Sequence, residues 1–165
     1  MIFTLMTSAL AAPPTVSTTY RISLGPEAIA ALKREAVERS LEPFGPFTRP
    51  FARRRLEALF KACPELKVEL AGVDFMVQCQ DEPVFRWQVG REGMYEGDTG
   101  PLKTQLSRRG DDLLLDFREE EGGKLFTYVF SANGMSVTHL VQSKKLPVDM
   151  TWTVPYVRAS TQARP

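Results

Sequence analysis

The chain has 165 residues and a mass of 18.5 kDa, a length that holds one domain and can bury a core without a metal or disulfide staple. Hydrophobic residues make up 43% and charged residues 25%, which excludes wholesale disorder. Lys and Arg number 21 against 20 Asp and Glu, so no global field draws the chain to nucleic acid. Two cysteines and one histidine are too few soft ligands for a four-ligand structural zinc site, and no cofactor is expected.

Residues 1–12 carry no charged side chain and include Ala9-Leu10-Ala11, the small-residue spacing of a signal-peptidase site. The stretch is too short to span a bilayer, and Pro13-Pro14 follows it as an extended start. Residues 1–14 are therefore read as an export signal or a disordered tail, and 15–160 as a single barrel domain. A periplasmic or secreted location is expected, with the cytoplasm as the alternative. No later run reaches the roughly 18 apolar residues that a membrane helix needs. Cys63 and Cys79 stand sixteen positions apart. In an exported protein they could pair, but no spacing argument forces them together. The preferred reading is a free thiol at a helix end and a small core residue.

Thr18 to Leu24 alternates, with Tyr20, Ile22 and Leu24 on one face, as a half-buried strand does. Gly25-Pro26 breaks it and places proline at a helix start. Ile29, Leu32, Ala36 and Leu41 then form a helical stripe, and Glu35 with Arg39 adds an i,i+4 pair. Pro43, Gly45 and Pro46 end this helix. A second opens at Thr48-Arg49-Pro50, buries Ala52, Leu56, Leu59, Phe60 and Cys63, and stops at Pro64.

After Pro64 the period changes from helical to alternating. The runs are Leu66–Leu70, Val73–Cys79, Phe85–Val89, Leu102–Leu106, Leu113–Phe117, Phe126–Phe130, Met135–Val141 and Val148–Arg158. A glycine-rich connection separates Val89 from Leu102. Asn133-Gly134 carries the strongest hairpin signal, that of a type I′ turn with positive φ. None of the connections has room for a crossover helix, so neighbouring strands are expected to be antiparallel. The fold class is mainly β (α+β): an antiparallel up-and-down barrel, or a strongly curled meander, with an N-terminal helical pair as its cap.

One strand, a helical pair and a long meander resemble the calycin-type small barrels over Thr18 to Arg158. The nearest in element order are the fatty-acid-binding proteins, with bacterial lipocalin-like domains as relatives in shape. The resemblance implies that the helices cap the barrel mouth and that a lipid sits inside. In that family Arg-x-Tyr on the last strand holds the ligand's carboxylate. Here the last strand has Tyr156-Val157-Arg158, the same residue types at the same spacing in reversed order. The lipocalin Gly-x-Trp signature is absent around Trp87 and Trp152.

Polar residues on the apolar register are the candidate chemistry: Thr104, Tyr128, His139, Tyr156 and Arg158. An inward Arg158 would need a counter-charge, which a ligand anion could supply; the alternative places it past the strand end in solvent. His139 is compatible with a general base, a metal ligand or a core imidazole, and the core imidazole is preferred. Neither Gly-x-Ser-x-Gly nor Cys-x-x-Cys is present. The expected function is non-enzymatic binding of a small apolar or amphipathic anionic molecule in a pocket lined by Trp87, Phe117, Tyr128, His139, Met150, Trp152, Tyr156 and Arg158. The rival is a structural or interaction module of the cell envelope whose barrel is filled by its own side chains. An enzyme using His139 ranks third. A monomer is expected. Between Arg21 and Ala62 nine Lys and Arg stand against five Glu. Arg49, Arg53, Arg54 and Arg55 could thus bring the second helix into weak contact with an anionic surface.

Overall fold

The computed structural model describes residues 16–97 and 100–159; the 1–14 stretch taken as signal or tail lies outside the described residues. Strand β1 (Val16–Ile22) is followed by helices α1 (Pro26–Leu41) and α2 (Arg49–Leu59). The meander then runs through β2 (Glu65–Ala71), β3 (Asp74–Cys79), β4 (Phe85–Gln88), β5 (Glu92–Gly97) and β6 (Gly100–Arg109). It continues through β7 (Asp112–Glu119), β8 (Gly122–Phe130), β9 (Gly134–Ser143) and β10 (Met150–Arg158).

These strands form one sheet in the order β4-β3-β2-β1-β10-β9-β8-β7-β6-β5, and every ladder is antiparallel. β4 and β5 are adjacent in sequence but are the two edges of the sheet. The Gly90 N–H donates to the Leu106 carbonyl at 2.8 Å and Val89 bridges to Leu106, so the sheet curls into a nearly closed barrel. Alternation explains the core: Leu113, Leu115 and Phe117 of β7, with Met150, Trp152, Val154 and Tyr156 of β10, are buried inside. α1 buries Ala36, Val37 and Leu41 and lies against α2 and β10. The expected Glu35–Arg39 pair forms on its exposed side. Among the described residues no helix is long and apolar enough to cross a membrane.

Three local expectations are corrected. The glycine-rich connection before Leu102 contains a strand, β5, paired with β6 from Glu92↔Gln105 to Gly97↔Gly100. Its sequence Glu-Gly-Met-Tyr-Glu-Gly lacks apolar alternation, because it is an edge strand on which only Tyr95 packs against the core. Second, α2 ends at Leu59, and Phe60 is already extended (φ −66°, ψ 121°). Phe60 and Cys63 sit at helical spacing but lie on an extended linker held by other partners. Third, the hairpin at Asn133-Gly134 closes by a Ser131 N–H···O=C Gly134 bond of 2.9 Å, yet neither residue has positive φ. Glycine is needed at 134 for space: a Cβ there would fall well inside van der Waals distance of the Tyr156 carbonyl oxygen.

The cysteines overturn the preferred reading. Cys63 and Cys79 form a disulfide, with Cα atoms 5.8 Å apart. Because α2 stops early, the linker turns back beside the end of β3, where Cys79 pairs with Leu66 and the Gln80 N–H reaches the Glu65 carbonyl.

Candidate functional site

The inward side chains of the meander do not fill the barrel. A cavity of about 450 Å³ remains, walled by Phe85 and Trp87 of β4, Tyr95 of β5, Leu102 of β6, and Leu115 and Phe117 of β7. Leu66 of β2, Val77 and Cys79 of β3, Phe126 and Tyr128 of β8, Val137 and His139 of β9, and Tyr156 of β10 add to the wall, and the linker from Lys61 to Pro64 covers one side. Alternation puts these residues on a common face, since each strand presents every second side chain inward.

An almost continuous chain of rings supports this wall. Phe75 meets Tyr128 edge-on at 5.1 Å and Trp87 at 6.3 Å; Trp87 meets Phe117 at 6.0 Å. Phe117 then meets Phe126 at 5.6 Å, and Phe126 meets His139 at 4.9 Å. His139 stacks on Trp152 at 4.6 Å, and Trp152 stacks on Phe60 at 5.0 Å. The Trp152 indole N–H donates to the Lys61 carbonyl at 3.0 Å, which fixes the linker at a second point besides the disulfide.

The polar groups of the interior are neutral. Burial, and after it the positive charge of Lys124, lowers the His139 imidazole to about 4. Burial likewise pushes the Tyr128 and Tyr156 phenols up, for Tyr156 against a hydrogen bond with the Cys63 backbone. The interior can therefore offer hydrogen bonds from phenols and an imidazole, but no ion. His139 is thus a buried imidazole stacked among aromatic rings, held in its neutral form. Among the described residues no group of three or more His, Cys, Asp or Glu converges to hold a metal ion.

Of the residues expected to line a pocket, Trp87, Phe117, Tyr128, His139 and Tyr156 come together around this cavity. Trp152 is buried one layer behind, on the far face of His139, and Met150 is fully buried in the packing. Arg158 is exposed, at the strand end where its backbone pairs with Tyr20, and lines no part of the cavity. The charged residues on the lining are Lys61, Glu82 and Lys124, all of them exposed at the rim. Sequence reasoning misses Lys124, although it stands two residues before Phe126 on the same inward register.

A second, outer cavity of about 840 Å³ lies between α2 and the strand ends, lined by Phe44, Phe51, Leu56 and Leu59 on the helical side. Tyr95, Leu102, Phe117 and Lys124 line both cavities, so the two meet across a shared wall. The basic face of α2 divides here. Arg49 and Arg53 turn to Glu38 of α1, and the Arg53 hydrogen bond holds the Glu38 carboxyl below its ordinary range. Arg54 and Arg55 line the outer cavity instead.

No family model and no curated protein sequence matches the chain. Solved structures do. A secretory abundant heat soluble protein from Ramazzottius varieornatus is 12% identical, with 86% of this chain and 93% of that chain covered and a TM-score of 0.53. A point mutant of the fluorescent protein UnaG is 11% identical over 87% of this chain and 95% of that chain, also at 0.53. A fatty-acid-binding protein from Drosophila melanogaster brain tissue is 15% identical over 86% and 96% of the two chains, with a TM-score of 0.49. With its helical pair between the first two strands of a nearly closed meander, the chain has the calycin-type barrel fold.

Proposed function

We propose that this protein is a non-enzymatic carrier that binds a small apolar or amphipathic anionic molecule, such as a fatty acid, inside the barrel. The observation that carries the reading is the 450 Å³ aromatic-walled cavity containing neutral polar groups. Small-molecule sites span about 300–1,000 Å³ and combine apolar walls with a few polar groups in this way. The rival reading, a barrel filled by its own side chains, fits the ring chain behind the wall but not the space in front of it. The disulfide supports export to a periplasmic or extracellular compartment over a reducing cytoplasm. Titration with a long-chain fatty acid, followed by calorimetry, tests the reading: one saturable site at micromolar concentration supports it, and no heat of binding rejects it.

A second reading concerns α2. Phe47, just before α2, and Phe51 on it are strongly exposed, and Phe51 shares its side of the helix with Arg54 and Arg55, a combination suited to weak contact with an anionic surface. Co-sedimentation with anionic but not zwitterionic vesicles, lost in Phe51→Ser, is the expected result; equal recovery with both would reject it.

A further inference from the structure

We infer that the outer cavity is a headgroup chamber for a single-chain amphiphile whose anionic head is larger than a carboxylate, a phosphate monoester above all, with the chain running inward past Lys124. This inference rests on the carrier reading and adds the ligand's orientation and head chemistry.

The charge distribution decides the orientation. The inner cavity keeps its ionic groups at the rim and offers only phenols and an imidazole at depth. An ionised head carried inward would lose its hydration with no cation at depth to replace it. The outer cavity also has apolar walls, from Phe44, Leu56, Leu59 and Leu146, but it adds cations. Arg54, Arg55, Lys124 and Lys145 line it, against the single carboxylate of Glu119. Among the described residues Arg54, Arg55 and Lys124 have no ion-pair partner, whereas Lys145 is paired with Glu121 at 3.5 Å. The arginines that could have been neutralised within the helical cap, Arg49 and Arg53, are; the two facing the chamber are not.

Size and stoichiometry decide the head. At about 840 Å³ the chamber is larger than the 450 Å³ cavity behind it, more room than a carboxylate uses. Two guanidinium forks and an unpaired ammonium exceed the needs of one monoanion. A phosphate monoester carries about −1.5 to −2 charge near neutral pH and three strong acceptor oxygens, which guanidinium groups bind through paired hydrogen bonds. The shared wall of Tyr95, Leu102, Phe117 and Lys124 is the passage from head to chain, with the Lys124 ammonium at the turning point.

The test uses three lipids with one acyl chain length: lysophosphatidic acid, the free fatty acid and the monoacylglycerol, each below its critical micelle concentration. Calorimetry is expected to rank them in that order, with lysophosphatidic acid about ten- to a hundred-fold tighter than the neutral glyceride. Arg54→Gln/Arg55→Gln/Lys124→Gln should erase that ratio; Lys124→Met alone should narrow it if the triple variant does not fold. Arg158→Gln, which touches neither cavity, should preserve it. Equal affinity for charged and neutral lipids, or a ratio surviving in the charge variants, overturns the headgroup assignment while leaving the carrier reading intact. No saturable binding of any of the three overturns the carrier reading itself. Binding seen only when lysophosphatidic acid is presented in vesicles, with none for the monomer, assigns the cations to a bilayer surface and also overturns the chamber.

Discussion

Trp152 lies flat against His139, ring centroids 4.6 Å apart and planes 13° from parallel, and this stack joins the cavity to the covering linker. One face of the pair borders the cavity through His139; the other anchors Lys61 through the indole N–H. The imidazole is thereby held among apolar rings, where its charged form is disfavoured.

Acid stability follows from that placement. The imidazole titrates near 4 in the folded chain and near 6.5 when unfolded, so between these values only unfolded chains take up the proton. The contribution is fully present above about pH 6.5 and declines as pH falls, by about 3 kcal/mol at pH 4. Urea unfolding between pH 4.5 and 7 should show this slope and His139→Phe should flatten it; an unchanged slope in the variant would contradict the account.

Opening the Cys63–Cys79 bridge should lower stability by about 3 kcal/mol, the value expected for a closed loop of about this length. Thermal melting with and without a dithiol reductant measures it, and Cys63→Ser/Cys79→Ser should match the reduced protein. Identical melting under both conditions would argue that the bridge constrains little.

Trp152→Phe keeps an aromatic ring on His139 and Phe60 but deletes the donor to the Lys61 carbonyl. The cost should be about 1 kcal/mol, because Lys61 is exposed enough for water to satisfy the freed oxygen. Hydrogen exchange should rise in residues 60–63 and stay unchanged in β8 and β9; a uniform rise would mean that the tryptophan supports the whole barrel instead.

Gly134→Ala should cost about 1–3 kcal/mol, since the added methyl must push the Tyr156 carbonyl, and with it β10, away from β9. Gly45→Ala, where a Cβ meets nothing within 4 Å, is the matched control. Equal stability of the two variants would remove the close approach as the reason for glycine at 134.

Much of the barrel was legible because one-sided burial writes itself as alternation: Phe126, Tyr128 and Val137, His139, Val141 fall on the inner face as their period demands. β5 escaped because an edge strand needs little apolar alternation, and because Gly93 sits where a side chain would meet the Thr104 hydroxyl at 2.9 Å. Phe60 and Cys63 misled for a different reason. Their helical spacing is real, but Trp152 and Cys79, distant in sequence, determine where they point. The aromatic wall of the site followed from register alone, whereas Arg158 did not reach it, since the strand ends there and the side chain turns to solvent. Lys124 obeys the inward register, but a charge at a strand's start reads as a solvated residue until the cavity behind it is seen.

The central claim, that an acyl chain occupies the space in front of Trp87, is tested most directly by contact quenching. The chain has two tryptophans, so Trp152→Phe leaves Trp87 on the cavity wall as the sole emitter. Titration of that protein with a fatty acid brominated midway along its chain should quench Trp87 saturably at micromolar concentration, while the unbrominated acid competes the quenching away. Emission that falls only linearly with added lipid, with no competition, would contradict an occupied barrel.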